Sequence, residues 1–234
     1  MAYNLKEEMS KKERFEAGHR LCAGCGAGIV CRAMMRAVDP EDKAVICNAT
    51  SCLEVSSFQY PYTAWHDSYI HSAFENASAT AAGVEAAYNV MKRKGKLDKN
   101  YKILAIGGDG GTYDIGFQSL SGAMERGHDF TYFCYDNEAY MNTGTQRSSA
   151  TPRFAAATTT PAGTESVGKK QNQKDLTQIM VAHGSPYVAQ TTMIGNFKDF
   201  HEKAHKAIYT EGPTFVNVLC PCPRGWQYPA EILP

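Results

Sequence analysis

Two polar residues that suit a metal–diphosphate site each follow an apolar segment of this 234-residue chain. Asp109 lies within the run Gly108-Asp109-Gly110-Gly111, and Asn137 closes the next apolar segment. Carboxylate and amide oxygens suit Mg²⁺, which commonly takes one or two carboxylates together with substrate phosphates. The glycines let the backbone approach a diphosphate closely, and a helix beginning there would offer it N–H groups. This combination predicts a site for thiamine diphosphate and Mg²⁺.

A strand–helix–strand unit is predicted to position these two residues. Short apolar runs predict strands at 101–108 and 129–136, and helical spacing predicts a helix at 113–126. Parallel strands end at the same edge of a sheet, where open α/β sheets bind ligands. The carboxylate and the amide should therefore lie close together. Asp114, just before the helical run, is predicted to cap the helix N-terminus.

The rest of the chain alternates between predicted helices and strands. Helices are expected at 26–37, 72–94, 173–183 and 196–210, strands at 43–47, 186–192 and 214–219, and loops at 48–71 and 137–172. The second loop is long enough to be either functional or disordered. Residues 1–18 are predicted to form a polar N-terminal arm, and residues 19–234 a single α/β domain with a doubly wound, mostly parallel sheet.

The eight cysteines fall into two groups by their setting. Four lie in or close apolar segments and are predicted to be buried free thiols: Cys31, Cys47, Cys134 and Cys220. Four lie in loops, from which their thiolates could share one cavity: Cys22, Cys25, Cys52 and Cys222. Four thiolates suit either a tetrahedral zinc ion or an iron–sulfur cluster. The spacing alone favours neither, and uncoordinated cysteines are a third interpretation.

Histidines and aromatic residues are assigned structural roles. His201 and His205 are spaced as i and i+4 in a segment that also carries lysines, which predicts a solvated helix face. Trp65 and Tyr69 are predicted to belong to the core or to a subunit interface. None of these residues is predicted to bind a metal.

Composition argues against several classes of protein. The chain has 24 basic and 24 acidic residues and no net charge, whereas proteins that bind nucleic-acid backbones carry a basic excess. No apolar segment approaches the roughly 18 residues that span a bilayer. The charged N-terminus contains no apolar signal core. We therefore expect a cytoplasmic protein with neither a nucleic acid nor a membrane as partner.

Five motifs, in order along the chain, resemble the β subunit of the 2-oxoacid:ferredoxin oxidoreductases, with the pyruvate enzyme closest. They are LCAGCG, NATSC, GGDGGTYDIG, DNEAYMNTGTQRS and CPRGW. The likeness extends from about Gly18 to Trp226. It implies a thiamine diphosphate-binding α/β fold that carries Mg²⁺ and a [4Fe–4S] cluster close to the thiamine ring. Family β subunits usually continue further after the last motif, so we expect either a short C-terminus or a fragment.

The resemblance also implies roles for individual residues. The cluster ligands match Cys22, Cys25, Cys52 and Cys222, which favours iron–sulfur over zinc. The Mg²⁺ ligands match Asp109, Asn137 and the carbonyl of Ala139. Residues assigned to the cofactor are these three together with Thr50, Gly108, Gly110 and Gly111. Asn142 matches a polar residue near the substrate and is the catalytic candidate.

The implied reaction is the reversible oxidative decarboxylation of a 2-oxoacid, preferably pyruvate, with coenzyme A. Electrons pass through the cluster to ferredoxin. Family members receive the acid that activates the thiamine from another chain, so this subunit is expected to need α, γ and ferredoxin-like δ partners. Within the family, 2-ketoisovalerate and oxalate are alternative substrates. Outside the family, one alternative function is a non-redox thiamine diphosphate carboligase or decarboxylase, but such an enzyme would not use the four loop cysteines. A second alternative is a structural zinc or electron-transfer module, but such a module would not use Asp109 and Asn137.

Overall fold

A six-stranded parallel sheet forms the centre of the computed structural model, which describes residues 3–232. The chain belongs to the α/β class with a doubly wound sheet, as predicted from sequence. The main strands are β1 (Lys43–Ala49), β2 (Ser68–Ser72), β3 (Tyr101–Gly108), β4 (Thr131–Asp136), β7 (Tyr187–Thr192) and β8 (Thr214–Leu219). The remaining strands, β5 (Ala139–Tyr140) and β6 (Gln146–Arg147), form a small antiparallel pair.

Eight helices surround the sheet in the described part of the chain. They are α1 (Leu5–Ser10), α2 (Gly26–Arg36), α3 (Cys52–Ser57), α4 (Ala77–Arg93), α5 (Phe117–Glu125), α6 (Leu176–Ala182), α7 (Phe197–Tyr209) and α8 (Pro223–Trp226). A π-helical turn spans Gly110–Ile115, and a 3₁₀ turn spans Ala230–Ile232. None of the helices in residues 3–232 has the length and apolar character needed to cross a bilayer.

The strand order places a crevice between two neighbouring strands. The order is β2-β1-β3-β4-β8-β7, with every pair parallel. After β1 the chain adds β2 on one side, and it then returns to add β3 on the other side of β1. Such a reversal opens a crevice beyond the carboxyl ends of the strands, where α/β proteins bind ligands.

The sheet separates two hydrophobic cores because neighbouring residues of a strand point to opposite faces. In β4, Phe133 joins the core beneath α2 and α7, and Tyr132 joins the core beneath α4, α5 and α6. Each large apolar side chain that is fully buried contributes roughly 1.5–3 kcal/mol relative to the exposed state. Because both faces of the central strands are covered, these strands read in sequence as continuous apolar runs.

The predicted loop at 48–71 and the predicted helix start at 72 were wrong. The segment contains α3, whose N-terminus is capped by the Ser51 side chain, and the edge strand β2. Among the five residues of β2, only Ser72 is buried, so this strand has no apolar run to reveal it. The alanine-rich helix begins after Asn76 instead.

The role predicted for Asp114 was also wrong. Helix α5 begins after Gly116, which carries no side-chain cap. A Cβ at Gly116 would lie 2.2 Å from the carbonyl oxygen of Gly111, so only glycine permits the passage from the π-helical turn into α5. Asp114 instead accepts hydrogen bonds from the backbone of Ser149 (3.0 Å) and the hydroxyl of Tyr140 (3.2 Å). It therefore ties the start of this helical region to the loop beyond β6.

The histidines of α7 do not occupy a fully solvated face, contrary to prediction. His201 lies 3.6 Å from a carboxylate oxygen of Glu8, and His205 lies 3.3 Å from one of Asp39. These contacts join α7 to α1 and to the turn after α2. Trp65 belongs to the core, as predicted, and stacks on Tyr69 at 5.2 Å.

The segment predicted as an N-terminal arm, 1–18, includes α1, and its first two residues lie outside the described residues. Near its end, Phe15 is buried against the edge of Trp65, with ring centroids 4.8 Å apart. The long segment 137–172 is held by its own contacts. Within it, the fully buried Lys169 donates hydrogen bonds to the carbonyls of Ser149 (3.1 Å) and Thr151 (2.5 Å).

Candidate functional site

One cleft at the carboxyl edge of the sheet gathers every residue predicted to contact the cofactor. Thr50 follows β1, the segment 108–111 follows β3, and Asn137 and Ala139 follow β4. Asn142 lines the same cleft and is exposed to solvent. The parallel sheet brings these residues together because the strands that precede them end at one edge.

Asp109 is the buried acid of the cleft, with only 1% of its surface exposed. One carboxylate oxygen accepts a short hydrogen bond of 2.5 Å from the Ser148 hydroxyl, and the other accepts the backbone N–H of Asn137 at 3.4 Å. Burial, and then the negative charge of Asp136, raise the pKa of Asp109 well above its usual value. A bound cation would offset both effects and favour the carboxylate.

The side chain of Asn137 meets two oxygen atoms at the distances expected around a small cation. The amide can turn either its nitrogen or its oxygen toward the site, and the atom that faces inward lies 2.8 Å from the carbonyl oxygen of Ala139 and 2.9 Å from Oδ1 of Asp109. With the nitrogen inward, Asn137 donates hydrogen bonds to both oxygens. With the oxygen inward, the three residues present three oxygen ligands to a cation. Adjacent oxygens around an octahedral Mg²⁺, with bonds of roughly 2.0–2.1 Å, lie about 3 Å apart, so the Asn137 atom is spaced from the Asp109 and Ala139 oxygens as such an ion requires.

Glycine allows close packing where the backbone enters the cleft after Asp109. A Cβ at Gly110 would lie 2.4 Å from the ring of Tyr140, whose hydroxyl donates to the Gly110 carbonyl at 2.9 Å. A Cβ at Gly111 would lie 3.1 Å from the carbonyl oxygen of Phe74. The π-helical turn starts at Gly110, and N–H groups in the first turn of a helix have no partner within it. Such groups suit the oxygens of a diphosphate.

Three of the four loop cysteines lie at helix starts. Cys25 precedes α2, Cys52 opens α3 and Cys222 precedes α8. The backbone N–H of Gly225 donates to the sulfur of Cys222 at 3.3 Å. N–H groups and the positive ends of helices stabilise thiolates. The helix starts thus act against burial, which raises the pKa of the thiol at each of these three positions.

Backbone contacts bring the cysteine segments together. The N–H of Cys25 donates to the carbonyl of Cys22 at 3.1 Å and closes the Cys-x-x-Cys turn, and the N–H of Gly26 donates to Pro221 at 3.2 Å. Burial, together with the charges of Cys25, Cys222 and Cys22, raises the pKa of the Cys52 thiol to about 12. The four thiols are thus electrostatic neighbours.

The four thiols are not arranged as metal ligands. Cys22 is exposed, while the other three are partly buried. Within residues 3–232, no three side chains among histidine, cysteine, aspartate and glutamate converge closely enough to hold a metal ion. The remaining cysteines are buried free thiols, as predicted: Cys31, Cys47, Cys134 and Cys220.

Two direct links join the cysteine region to the cleft. Cys52 itself lines the cleft beside the segment 108–111. The indole N–H of Trp226, at the end of α8, donates to the backbone carbonyl of Asn137 at 3.0 Å. The helix that follows Cys222 is therefore anchored to the residue beside Asp109.

Comparison with known proteins identifies the family. Residues 47–218 match the thiamine pyrophosphate enzyme, C-terminal TPP-binding domain. The chain is 56% identical over 226 residues to the pyruvate synthase subunit PorB of Methanocaldococcus jannaschii, covering 96% of this chain and 75% of that relative. The chain belongs to the family of 2-oxoacid:ferredoxin oxidoreductase β subunits. The match confirms the resemblance inferred from the five motifs and places a thiamine pyrophosphate-binding domain around the cleft.

Two further matches are less similar to this chain. The ketoisovalerate oxidoreductase subunit VorB of Pyrococcus furiosus is 42% identical over 230 residues, covering 97% of this chain and 73% of that relative. Among solved structures, the 2-oxoglutarate:ferredoxin oxidoreductase of Magnetococcus marinus, with 2-oxoglutarate, coenzyme A and succinyl-CoA bound, superposes with a TM-score of 0.73 at 25% identity. That likeness covers 90% of this chain and 67% of that one.

The sequence analysis of this β subunit missed a second buried acid beside the cleft. Asp136 accepts hydrogen bonds from the hydroxyl of Tyr113 (2.7 Å), the amide of Asn217 (3.3 Å) and the backbone of Glu138 (3.0 Å). It thereby fixes the turn that presents Asn137. Its position directly before Asn137 was the available signal, but the apolar run of β4 led us to treat it only as the end of a strand.

Proposed function

We propose that this chain is the β subunit of a pyruvate:ferredoxin oxidoreductase. The proposed reaction converts pyruvate, coenzyme A and two oxidised ferredoxins into acetyl-CoA, CO₂, a proton and two reduced ferredoxins, and it is reversible. The observation that carries this proposal is the convergence of Asp109, Asn137 and Ala139 in a cleft that Cys52 also lines. Identity to a pyruvate synthase subunit (56%) exceeds identity to a ketoisovalerate oxidoreductase subunit (42%), which supports pyruvate over branched-chain 2-oxoacids.

The oxygen-lined part of the cleft is proposed to hold Mg²⁺ and thiamine diphosphate. Asp109, Asn137 and the carbonyl of Ala139 would bind the ion, while the N–H groups of the segment 108–111 would bind the diphosphate. Thiamine diphosphate, when bound, supplies the electron sink that allows a 2-oxoacid to lose CO₂. Thr50 would contact the cofactor, and the exposed Asn142 would orient the 2-oxoacid.

The four loop cysteines are proposed to hold a [4Fe–4S] cluster. Cys22, Cys25, Cys52 and Cys222 come from three separate segments, two of which already contact each other through Gly26 and Pro221. Iron would lower the pKa values of the Cys25, Cys52 and Cys222 thiols, which burial raises. Because Cys52 lines the cleft, a cluster bound there would lie next to the site of decarboxylation.

Partner chains are proposed to complete the active site. Asp109 is the only acidic residue among those lining the cleft in residues 3–232, and the metal would engage it. An acid that activates the thiamine must then come from another chain, with α, γ and ferredoxin-like δ subunits and ferredoxin as the proposed partners. We further propose a cytoplasmic location, where cysteines without disulfide bonds are ordinary, and a thiamine-binding domain at 19–234 preceded by an arm at 1–18.

The test is a panel of 2-oxoacids assayed with the complete, anaerobically purified complex, coenzyme A and a low-potential dye. We expect pyruvate to reduce the dye fastest, and only when coenzyme A is present. The β subunit alone should bind thiamine diphosphate only with Mg²⁺ and contain about four irons. Zinc in place of iron would overturn the cluster. Decarboxylation without dye reduction would favour a non-redox enzyme, and turnover by the isolated subunit would contradict the need for partners.

A further inference from the structure

Lys169 is a fully buried lysine that the proposed reaction does not use. Its ammonium donates hydrogen bonds to two backbone carbonyls, those of Ser149 at 3.1 Å and Thr151 at 2.5 Å. Both acceptors are uncharged, and neutral acceptors offset only part of the penalty for removing an ammonium from water. An apolar side chain of similar size would fill the same space without that penalty. The ammonium therefore matters for where it holds these two carbonyls.

The backbone around Lys169 is fixed by its own contacts. The N–H of Lys169 donates to the carbonyl of Ala155 at 3.1 Å, and its carbonyl accepts the N–H of Phe154 at 2.7 Å. The preceding Gly168 adopts a left-handed conformation (φ 79°), and an added Cβ there would lie 2.5 Å from the carbonyl oxygen of Phe154. The ammonium thus extends from a fixed base to the segment 148–151.

The segment 148–151 contacts both turns that carry the proposed Mg²⁺ ligands. The Ser148 hydroxyl donates to the Asp109 carboxylate at 2.5 Å, beyond the end of β3. The Thr151 hydroxyl donates to the backbone carbonyl of Glu138, beyond the end of β4. The N–H of Ser148 also donates to the Thr151 hydroxyl at 2.9 Å, which joins the two contacts. Because the two turns follow different strands, this segment bridges them.

The carbonyl of Glu138 is a sensitive point of contact because Glu138 separates two proposed ligands, Asn137 and Ala139. Its backbone is left-handed (φ 68°), a conformation that residues other than glycine rarely adopt. Asp136 accepts the N–H of Glu138 at 3.0 Å, while Thr151 donates to its carbonyl. Hydrogen bonds therefore hold this residue on both sides. A shift of its carbonyl would move Asn137 and Ala139 relative to each other.

We propose that Lys169 is a positioning residue for the site of Mg²⁺ and thiamine diphosphate. Its ammonium holds two carbonyls of the segment 148–151, and two hydroxyls of that segment hold Asp109 and the Glu138 carbonyl. This role rests on the metal and cofactor site proposed above. Lys169 is assigned no contact with the metal or the substrate and no proton transfer.

The test compares the native complex with Lys169→Met, which keeps most of the side chain and removes the ammonium. The exposed neighbour Lys170 supplies the matched control Lys170→Met. Each complete complex is stripped of Mg²⁺ and thiamine diphosphate and titrated with Mg²⁺ in the presence of the cofactor. We expect Lys169→Met to bind Mg²⁺ roughly tenfold more weakly, as is typical for residues that support metal ligands. The control should bind like the native complex.

A double-mutant cycle shows whether the effect passes through the segment 148–151. The hydroxyl-free variant, Ser148→Ala with Thr151→Val, loses both side-chain contacts with the ligand turns but keeps the carbonyls that Lys169 holds. This variant should also bind Mg²⁺ more weakly. Adding Lys169→Met to it should cause no further loss, because the ammonium then has no route to the ligands. A purely structural role would weaken binding equally in both backgrounds.

The possible outcomes separate this role from the function on which it rests. Native Mg²⁺ affinity in Lys169→Met, or an equal loss in both backgrounds, would overturn the role of Lys169 and leave the site in place. Native affinity in the hydroxyl-free variant would overturn it as well. If Lys169→Met does not fold, Lys169→Gln replaces it under the same expectations. A native complex that binds thiamine diphosphate without Mg²⁺, or not at all, would instead overturn the proposed site.

Discussion

Two proposed ligand sets lie side by side in this subunit, and they differ in how far the fold completes them. The oxygen set, Asp109, Asn137 and Ala139, follows two parallel strands, and the inward atom of the Asn137 amide already lies 2.8–2.9 Å from an oxygen of each of the other two. The thiol set, Cys22, Cys25, Cys52 and Cys222, lies on a turn and on helix starts, and it includes an exposed member. Strand ends in a sheet are fixed by their neighbours, whereas loop residues become ordered mainly on binding. The oxygen set is therefore preorganised, and the thiol set depends on its ligand for its final geometry.

The substitution with the largest expected effect removes the charge of the oxygen set. Asp109→Asn should weaken Mg²⁺-dependent binding of thiamine diphosphate by more than the roughly 10–100-fold typical for loss of an outer partner of a metal ligand. Calorimetric titration with the cofactor and Mg²⁺ measures this. The exposed Asp98 supplies the matched control, and Asp98→Asn should bind normally. Similar affinity in both variants would contradict the assignment of Asp109 to the metal.

The same substitution should stabilise the protein when no cofactor is bound. The pKa of Asp109 is raised in the folded state, so the native protein loses stability as pH rises above about 4, the pKa of an unfolded aspartate. The neutral amide of the Asp109→Asn variant would carry no such penalty. The melting temperature of the cofactor-free variant should exceed that of the native protein at pH 7 by a few degrees, about 2–4 °C per kcal/mol. A difference that did not shrink toward pH 4 would be inconsistent with a buried charge at Asp109.

The second substitution should remove bound iron from the thiol set and leave cofactor binding at the oxygen set intact. Cys52→Ala should remove most of the roughly four irons per chain, because a loosely ordered ligand set depends on all its members. Binding of thiamine diphosphate should fall far less than in the Asp109 variant. The buried Cys47 supplies the control, and Cys47→Ala should retain its iron. Iron lost from the Cys47 variant but kept in the Cys52 variant would reassign the ligand.

A third, smaller effect tests how the oxygen set is preorganised. Ser148→Ala removes the 2.5 Å hydrogen bond to Asp109 and leaves all of the predicted Mg²⁺ ligands unchanged. Affinity for Mg²⁺ should drop by roughly 10–100-fold, while the iron content stays constant. The similarly buried Ser78 on α4 provides a comparison, since Ser78→Ala should leave the affinity unchanged. An unchanged affinity in the Ser148 variant would show that Asp109 is held in place without this bond.

The smallest expected effect concerns the link between the two sets. Trp226→Phe removes the indole hydrogen bond to the carbonyl of Asn137. A net hydrogen bond of about 0.5–1.5 kcal/mol corresponds to roughly threefold to tenfold weaker binding of thiamine diphosphate. Trp65→Phe loses a comparable bond, 2.9 Å to the Ser57 hydroxyl, at a residue that does not line the cleft. It should lower stability but not affinity. Equal affinities in the two variants would argue against coupling through Trp226.

Sequence could locate the oxygen set because its members follow buried strands closely. The apolar runs of β3 and β4 marked those strands, and parallel pairing then required Asp109 and Asn137 to be neighbours. The contact between Ser148 and Asp109 could not be predicted, since it joins a strand end to a distant irregular segment. The edge strand β2 was missed for a different reason: it buries little surface, so no periodic signal is present.

Motif resemblance, rather than spacing, grouped the four loop cysteines. Their segments are distant in sequence, and nothing in the local pattern of Cys52 or Cys222 requires contact with the Cys22–Cys25 turn. The backbone bond between Gly26 and Pro221 is a tertiary contact without a signature in side-chain type. Asp114 was misassigned because helical periodicity continues through the π-helical turn, which hid the true start of α5 after Gly116.

Cys22 and Cys222 are close in space but about 200 residues apart in sequence, and this separation has a consequence for biosynthesis. The proposed cluster could not be completed until every strand of the sheet has left the ribosome, because Cys222 follows all of them in sequence. Once bound, the cluster would cross-link the segments that carry Cys22 and Cys222. In the chain-entropy treatment of cross-links, a loop of this size is worth about 5 kcal/mol. Extracting the iron should therefore lower the melting temperature of the whole domain rather than of the cysteine segments alone, which scanning calorimetry would reveal as a shift of the main transition.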